Sequence, residues 1–242
     1  MADFDLLTLA NFAPARHLCW KCLALLSYPM SRGGKWTCPV CSLEYISSED
    51  VANAARYLER LGYALEFDDL LEHCRALAES TLADALIGGS KPPLRKLLDS
   101  LSHAKHFVHF VSFGISDFFI GALKVIAQRI AVRGVVSNVD ERILDELTAF
   151  NNETPYNSFE IKHFLREGQW REAPHQKLIV IDGLIAFKGS ANLTLAGWRK
   201  ATKGLDHVET VTNVNEVIDL HNRLFSPVWA QFSKVGDSIR IS

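Results

Sequence analysis

At 242 residues the chain is long enough for one or two domains with a sizeable buried core. Hydrophobic residues make up 48% and charged residues 22%, a globular balance that excludes a disordered or low-complexity chain. The net charge of −2 excludes a polycation, so any role with nucleic acid must rest on a local patch.

The first residues carry Asp3 and Asp5 where a secretory signal would carry Lys or Arg. The most apolar stretch, residues 107–127, contains His109, Asp117 and Lys124, which predicts a strand followed by a helix and not a membrane span. A cytoplasmic protein with no membrane contact is expected. Residues 1–47 hold two Cys-x2-Cys pairs and form a first unit. Residues 48–82 read as a helical connector, with Val51, Ala54, Ala55, Leu58 and Leu61 at helical spacing, Gly62 as a stop and a second helix over 67–83. Residues 49–79 carry eight acidic side chains against three arginines, the pattern of a solvated helix face.

The third unit, 83–242, opens with a linker or turn at Gly88–Pro93 and then alternates. HFVHFVSF predicts a strand, and SDFFIGALKVIAQRIAVRG a helix with Ser116 as N-cap and Gly134 just past its end. VVSNV, SFEIKHF and HVETVTNV predict strands, ERILDELTAF a helix, and 215–232 a last helix. Strands alternating with helices predict an α/β fold, a mixed sheet flanked by helices, preceded by the small cysteine module and the helical segment.

Cys19, Cys22, Cys38 and Cys41 form two knuckles separated by 15 residues. Two thiolates from each knuckle complete a tetrahedral four-sulfur site, which favours one structural zinc per chain and leaves no open position for catalysis. The module resembles a zinc ribbon. Arg16, Lys21, Arg32 and Lys35 interleave with Trp20, Tyr28 and Trp36, which suits nucleic acid, a protein partner, or the packing of a small ribbon core. Cys74 is expected as a buried helix residue.

The stretch HQKLIVIDGLIAFKGSANLT, residues 175–194, is two apolar runs around Asp182-Gly183. A two-residue turn there would place Ile181 opposite Leu184, Lys177 opposite Lys188, His175 opposite Ser190 and Ala173 opposite Asn192. His175, Lys177, Lys188, Ser190 and Asn192 would then converge on one face, with Gly189 allowing close approach to the backbone. A histidine, fixed positive charge, a hydroxyl and an amide make an anion site in outline, with phosphate as the anion.

The spacing His175-x-Lys177-x4-Asp182-x6-Gly189-Ser190-x-Asn192 resembles the HKD signature of the phospholipase D superfamily at every fixed position. The resemblance covers about residues 83–242. It implies that His175 is a nucleophile forming a phosphohistidine, that Lys177 and Asn192 hold the phosphate oxygens, and that Ser190 is a supporting donor. No metal takes part in that chemistry. Asp182 is the signature's aspartate, and its place at the turn predicts a structural role. The family's motif is usually followed by an acidic residue that orients the histidine; Glu209 is expected there, with Asp206 as the fallback. His103-x-Lys105 is the other His-x-Lys pair, but Phe110 stands where the signature needs Asp. With one motif, the resemblance implies a homodimer in which two copies of His175 face each other.

Single-motif members include endonucleases, so a DNA or RNA endonuclease is the favoured function. Residues 160–204 carry eight Lys/Arg against four Asp/Glu, the local patch a phosphate backbone needs. Trp170 and Trp198 flank the motif and either stack on bases or pack in the core. The resemblance extends to accessory nucleases of bacterial anti-phage systems, which work beside helicases or other DNA-handling subunits. A phosphatidyl hydrolase or transferase, and a nucleic-acid-binding subunit active only in a larger assembly, are the alternatives.

Overall fold

The computed structural model describes residues 18–26, 36–45, 48–63, 91–154, 158–163 and 174–236. The expected helix at 67–83, Cys74, Trp170, Arg16, Tyr28, Arg32 and Lys35 lie outside them.

Two short antiparallel strands, β1 (Trp36–Thr37) and β2 (Glu44–Tyr45), frame the second cysteine knuckle, and α1 (Ser48–Arg60) follows. Helix α2 (Pro93–Ser102) leads into β3 (Phe107–Gly114), then α3 (Asp117–Ala127), β4 (Ala131–Asn138), α4 (Glu141–Glu153) and β5 (Phe159–His163). The motif hairpin is β6 (Leu178–Ile181) and β7 (Ile185–Gly189), followed by α5 (Leu195–Thr202) and β8 (Val208–Val211). The last described stretch is α6 (Val214–Leu220), a π-helical turn (His221–Phe225) and α7 (Ser226–Gly236).

The six long strands form one mixed sheet in the order β5-β4-β3-β6-β7-β8. Strands β3, β4 and β5 are parallel, joined by crossover helices; β6, β7 and β8 are antiparallel to their neighbours. Helices cover both faces. Phe225 of the π-helical turn stacks on His109 at 4.5 Å between ring centroids. Trp198 of α5 meets Phe187 at 6.1 Å and Phe119 of α3 at 6.0 Å. The register puts His109 and Phe187 on opposite faces, because His109 pairs with Val180 and Phe187 with Ile179. Buried on both sides, the central strands read as continuous apolar runs.

Two elements depart from the expected pattern. The helix after Ser116 ends at Ala127, and residues up to and beyond Gly134 form β4. IAVRGVV is apolar throughout, so periodicity cannot tell its strand from a helix continuation. Gly134 sits mid-strand because the ring of Phe110 occupies its Cβ position, only 2.1 Å away. The Pro-Pro stretch read as a linker is the start of α2: Pro93 takes the first helical turn, where its missing N–H costs nothing.

The core does not stop at the boundaries between the three units. Leu18, Leu23 and Leu25 from the cysteine region and Leu58 and Tyr63 from the connector pack into the same cluster as the central strands. Arg133, 1% exposed, donates to the carbonyls of Leu61 (2.6 Å), Ser158 (2.8 Å) and Val132 (3.0 Å), tying the connector to β4. The side-chain amide of Asn222 accepts from Leu25 N–H and donates to Leu25 C=O, both at 2.8 Å. Among the described residues, no helix is long and apolar enough to cross a membrane.

Candidate active site

The motif lies at the end of the sheet where β3 and β4 finish and β6 begins. Ser137, near the end of β4, donates to the Pro174 carbonyl (2.6 Å) and fixes the chain just before His175. Phe113, near the end of β3, places its ring 5.3 Å from the imidazole. On the return strand, Leu193 N–H donates to Ser112 Oγ (2.9 Å) and Ser116 N–H to the Leu193 carbonyl (3.0 Å), which hold the segment bearing Asn192. Thr194 caps α5 by accepting from Gly197 N–H (3.1 Å). His103 and Lys105 precede the other end of β3, so the second His-x-Lys pair is remote from this end.

Lys177 Nζ lies 2.8 Å from His175 Nδ1 and donates to the His175 carbonyl at 2.6 Å. His175 is exposed, and Lys177 is partly buried. Burial pushes the Lys177 ammonium below its ordinary value, while the nearby Asp206 carboxylate opposes that shift. Ser190 Oγ is hydrogen-bonded to Asp206 Oδ1 and accepts from His207 N–H (3.0 Å). Asn192 Oδ1 is buried and has no hydrogen-bond partner among the described residues.

The hairpin register is shifted by one residue from the two-residue turn expected. Ile181 pairs with Ile185 and Leu178 with Lys188, so three residues, Asp182, Gly183 and Leu184, make the connection. Asp182 and Gly183 have φ of 55° and 70°, as a tight turn requires, and Leu184 N–H still closes it onto the Ile181 carbonyl (3.0 Å). Leu184 is the extra residue, fully buried. The cause lies across the sheet, where Asp182 N–H donates to the Phe107 carbonyl (3.0 Å).

A one-residue slip moves side chains to the other face. Lys188 therefore shares the face of Leu178, opposite Lys177, and is paired with Glu216 (2.9 Å) and Glu209 (3.4 Å). Those carboxylates hold its ammonium above the ordinary value, Glu216 first. The register therefore does not bring Lys188 to the side of His175 and Lys177, and it no longer argues for Ser190 and Asn192 there either. Glu209, paired to Lys188 across β7 and β8, is not the acid at His175 either. Asp206 is the carboxylate that reaches Ser190 and acts on Lys177.

Two further expectations change. Trp198 is 2% exposed, in the core between Phe119 and Phe187, so it offers no face to a base. Gly189 does permit a close approach, but by the chain itself: a Cβ there would lie 2.0 Å from the His207 carbonyl. Asp182 is fully buried, and its carboxylate accepts from the backbone N–H of His106 (2.8 Å), Phe107 (2.9 Å) and Lys105 (3.0 Å). It holds the turn, as its position predicts.

Among solved structures, similar chains include Nuc, described as a phospholipase D family member, from Salmonella typhimurium. It is 18% identical, the match covers 61% of this chain and 90% of that one, and the TM-score is 0.43. This chain is similar in structure to a phospholipase D family member. NucT from Helicobacter pylori is 19% identical over 60% of this chain and 87% of its own, with a TM-score of 0.39. TrmBL2, an archaeal chromatin protein with a novel mode of DNA binding, is 14% identical over 82% and 76%, with a TM-score of 0.38. No family model matches the sequence, and no curated protein does.

The second centre is the cysteine cluster. Its four sulfurs lie within 4.8 Å of one another, with Cys22–Cys38 at 3.5 Å and Cys19–Cys41 at 3.6 Å. A tetrahedral zinc with bonds of about 2.3 Å needs sulfurs about 3.8 Å apart, so the set fits zinc. The knuckles repeat one geometry. Leu23 (φ 58°) and Ser42 (φ 57°) follow the second cysteine of each, and their N–H groups donate to Cys19 and Cys38 carbonyls. Cys19 and Cys38 in turn donate to the carbonyls of Ala24 and Leu43, both at 2.8 Å. Hydrogen bonds from Cys22 and Cys38 drive the Cys19 thiol down, while the bonds to Cys19 drive Cys22 and Cys38 up.

Proposed function

We propose that the chain is a metal-independent phosphodiesterase that cleaves nucleic acid, DNA or RNA, as an endonuclease through a phosphohistidine intermediate. The observation that supports this best is the 2.8 Å contact between Lys177 Nζ and His175 Nδ1 at the exposed end of the motif hairpin. A cation this close to a histidine, with the amide of Asn192 on the returning segment, suits an anionic, pentacoordinate phosphorus.

In this reading His175 Nε2 attacks phosphorus and the P–O bond to the leaving nucleotide breaks. Attack from Nε2 requires the ring proton on Nδ1, so Lys177 must leave Nδ1 and turn to a phosphate oxygen as substrate enters. Lys177 and Asn192 then hold the non-bridging oxygens, with Ser190 supporting through Asp206. The leaving oxygen takes its proton from a second imidazole. That imidazole, now neutral, removes a proton from water, which attacks phosphorus and releases His175. The second imidazole is His175 of another copy of the chain, which makes the active form a twofold dimer. The resemblance carries the reading further, to an accessory nuclease of a bacterial anti-phage system acting beside a helicase or another DNA-handling subunit.

The test is incubation of the purified protein with plasmid, single-stranded DNA, RNA and phosphatidylcholine vesicles, in chelator and without magnesium. Cleavage of nucleic acid in chelator, lost in His175→Ala, is the expected result. Cleavage that needs magnesium throughout, or release of a lipid headgroup alone, overturns it.

A further inference from the structure

Helices α2 and α5 enclose a groove of about 570 Å³, lined by Pro92, Leu94, Arg95, Leu98, Arg199, Thr202 and Lys203. Its floor is apolar and its rim carries three cations from two helices. Arg95, Arg199 and Lys203 are exposed, and among the described residues no acidic side chain lines the groove. Asp99, one turn from Arg95, is held by Arg95 and Lys91, both at 3.1 Å. Arg199 also complements the C-terminal end of α5. Arg95 is engaged by Asp99 on its own helix, and the exposed Lys203 lies beyond the end of α5.

The position of α5 links this groove to the motif. The helix begins at Thr194's cap, two residues after Asn192, and Lys203 is followed within three residues by Asp206, the partner of Ser190. Its 8 residues span about 12 Å.

We propose that the α2–α5 groove is a docking track for an unpaired nucleic-acid strand that continues to the motif hairpin. The cationic rim takes phosphates, and the floor of Leu94, Leu98 and Pro92 takes sugar and base faces that a duplex would keep stacked inside. This deepens the reading of the motif as acting on nucleic acid and rests on it.

The test substitutes Arg199→Gln together with Lys203→Gln, two exposed positions outside the catalytic group. Binding of a labelled 30-nucleotide single strand and of the matching duplex is measured by anisotropy across a salt series, in a His175→Ala background that cannot cleave. The expected result is a Kd for the single strand raised about tenfold and a log–log salt slope about 1.4 smaller, about 0.7 for each cation lost. Hydrolysis of bis(p-nitrophenyl) phosphate by the double variant with His175 intact stays at the parent level. An unchanged Kd and slope overturn the groove. So does an equal loss on the duplex, or a loss seen only on anionic phospholipid vesicles. Failure of the parent to hydrolyse any phosphodiester counts against the catalytic reading alone, since strand binding that depends on Arg199 and Lys203 is read independently.

Discussion

Asp182 and Phe107 exchange two hydrogen bonds: Asp182 N–H donates to the Phe107 carbonyl at 3.0 Å, and the Asp182 carboxylate Oδ1 accepts from Phe107 N–H at 2.9 Å. The signature's aspartate therefore fastens the hairpin turn to the start of β3, at the far end of the strands from His175. Asp182→Ala strips the acceptor from three backbone N–H groups, two of them on buried residues, and should destabilise the fold by about 3–5 kcal/mol. Asparagine tolerates the left-handed backbone and keeps one acceptor oxygen, so Asp182→Asn should cost less than half as much. Urea unfolding measures both. An Asp182→Asn protein as stable as the parent but inactive would show that the aspartate works in the chemistry.

The two lysines of the hairpin should behave oppositely. Lys177→Ala is expected to lower turnover about 10²–10³-fold, as removal of an oxyanion partner does. Lys188→Ala removes a cation engaged with Glu209 and Glu216 on the other face, and should leave turnover within about threefold. Steady-state rates on one substrate suffice; equal losses at both positions would contradict the observed register.

Acid stability should carry the mark of a buried histidine pair. His109 Nδ1 lies 2.8 Å from His221 Nε2, Tyr63 Oη lies 2.7 Å from His109 Nε2, and Ser226 Oγ lies 3.3 Å from His221 Nδ1. Burial depresses both imidazoles, His221 to about 3, and the charge of Arg133 presses further on His109. A depressed folded value means that the unfolded chain binds protons first. Stability is then complete above the unfolded value of about 6.5 and is lost as pH falls toward 3. For His221 alone the loss at pH 5 is about 2 kcal/mol. Thermal unfolding at pH 7 and pH 5 should show it, and His221→Gln should flatten that difference.

Elemental analysis should find one zinc per chain, and Cys22→Ser should abolish it. The variant should also unfold at lower temperature, because Leu18, Leu23 and Leu25 beside the knuckle belong to the same core as the sheet. A folded parent without zinc would refute the assignment of the four-sulfur cluster.

What the sequence discloses depends on how local the cause is. The cysteine knuckles are set within a few residues, and their four sulfurs come together as the spacing predicts. The mixed sheet follows from the alternation of strand and helix patterns. The register of the hairpin was not legible, because it is fixed by contacts between Asp182 and residues 105–107, about 75 positions away. Trp198 likewise looks available beside the motif until Phe119 and Phe187 close over it. Asp206 and Glu209 are three residues apart, and only strand pairing decides that Glu209 faces Lys188 and Asp206 meets Ser190. The double proline before α2 hid a helix start, though proline at the first turn is itself a start signal.

The clamp of Asn222 on Leu25 joins positions 197 residues apart in the chain. A ribosome delivers Leu25 well before Asn222, so this contact cannot form until the region of α6 and the π-helical turn has been made. Contacts of such separation close late and slowly. Until that region is made, Leu18, Leu23 and Leu25 lack part of the core they pack into.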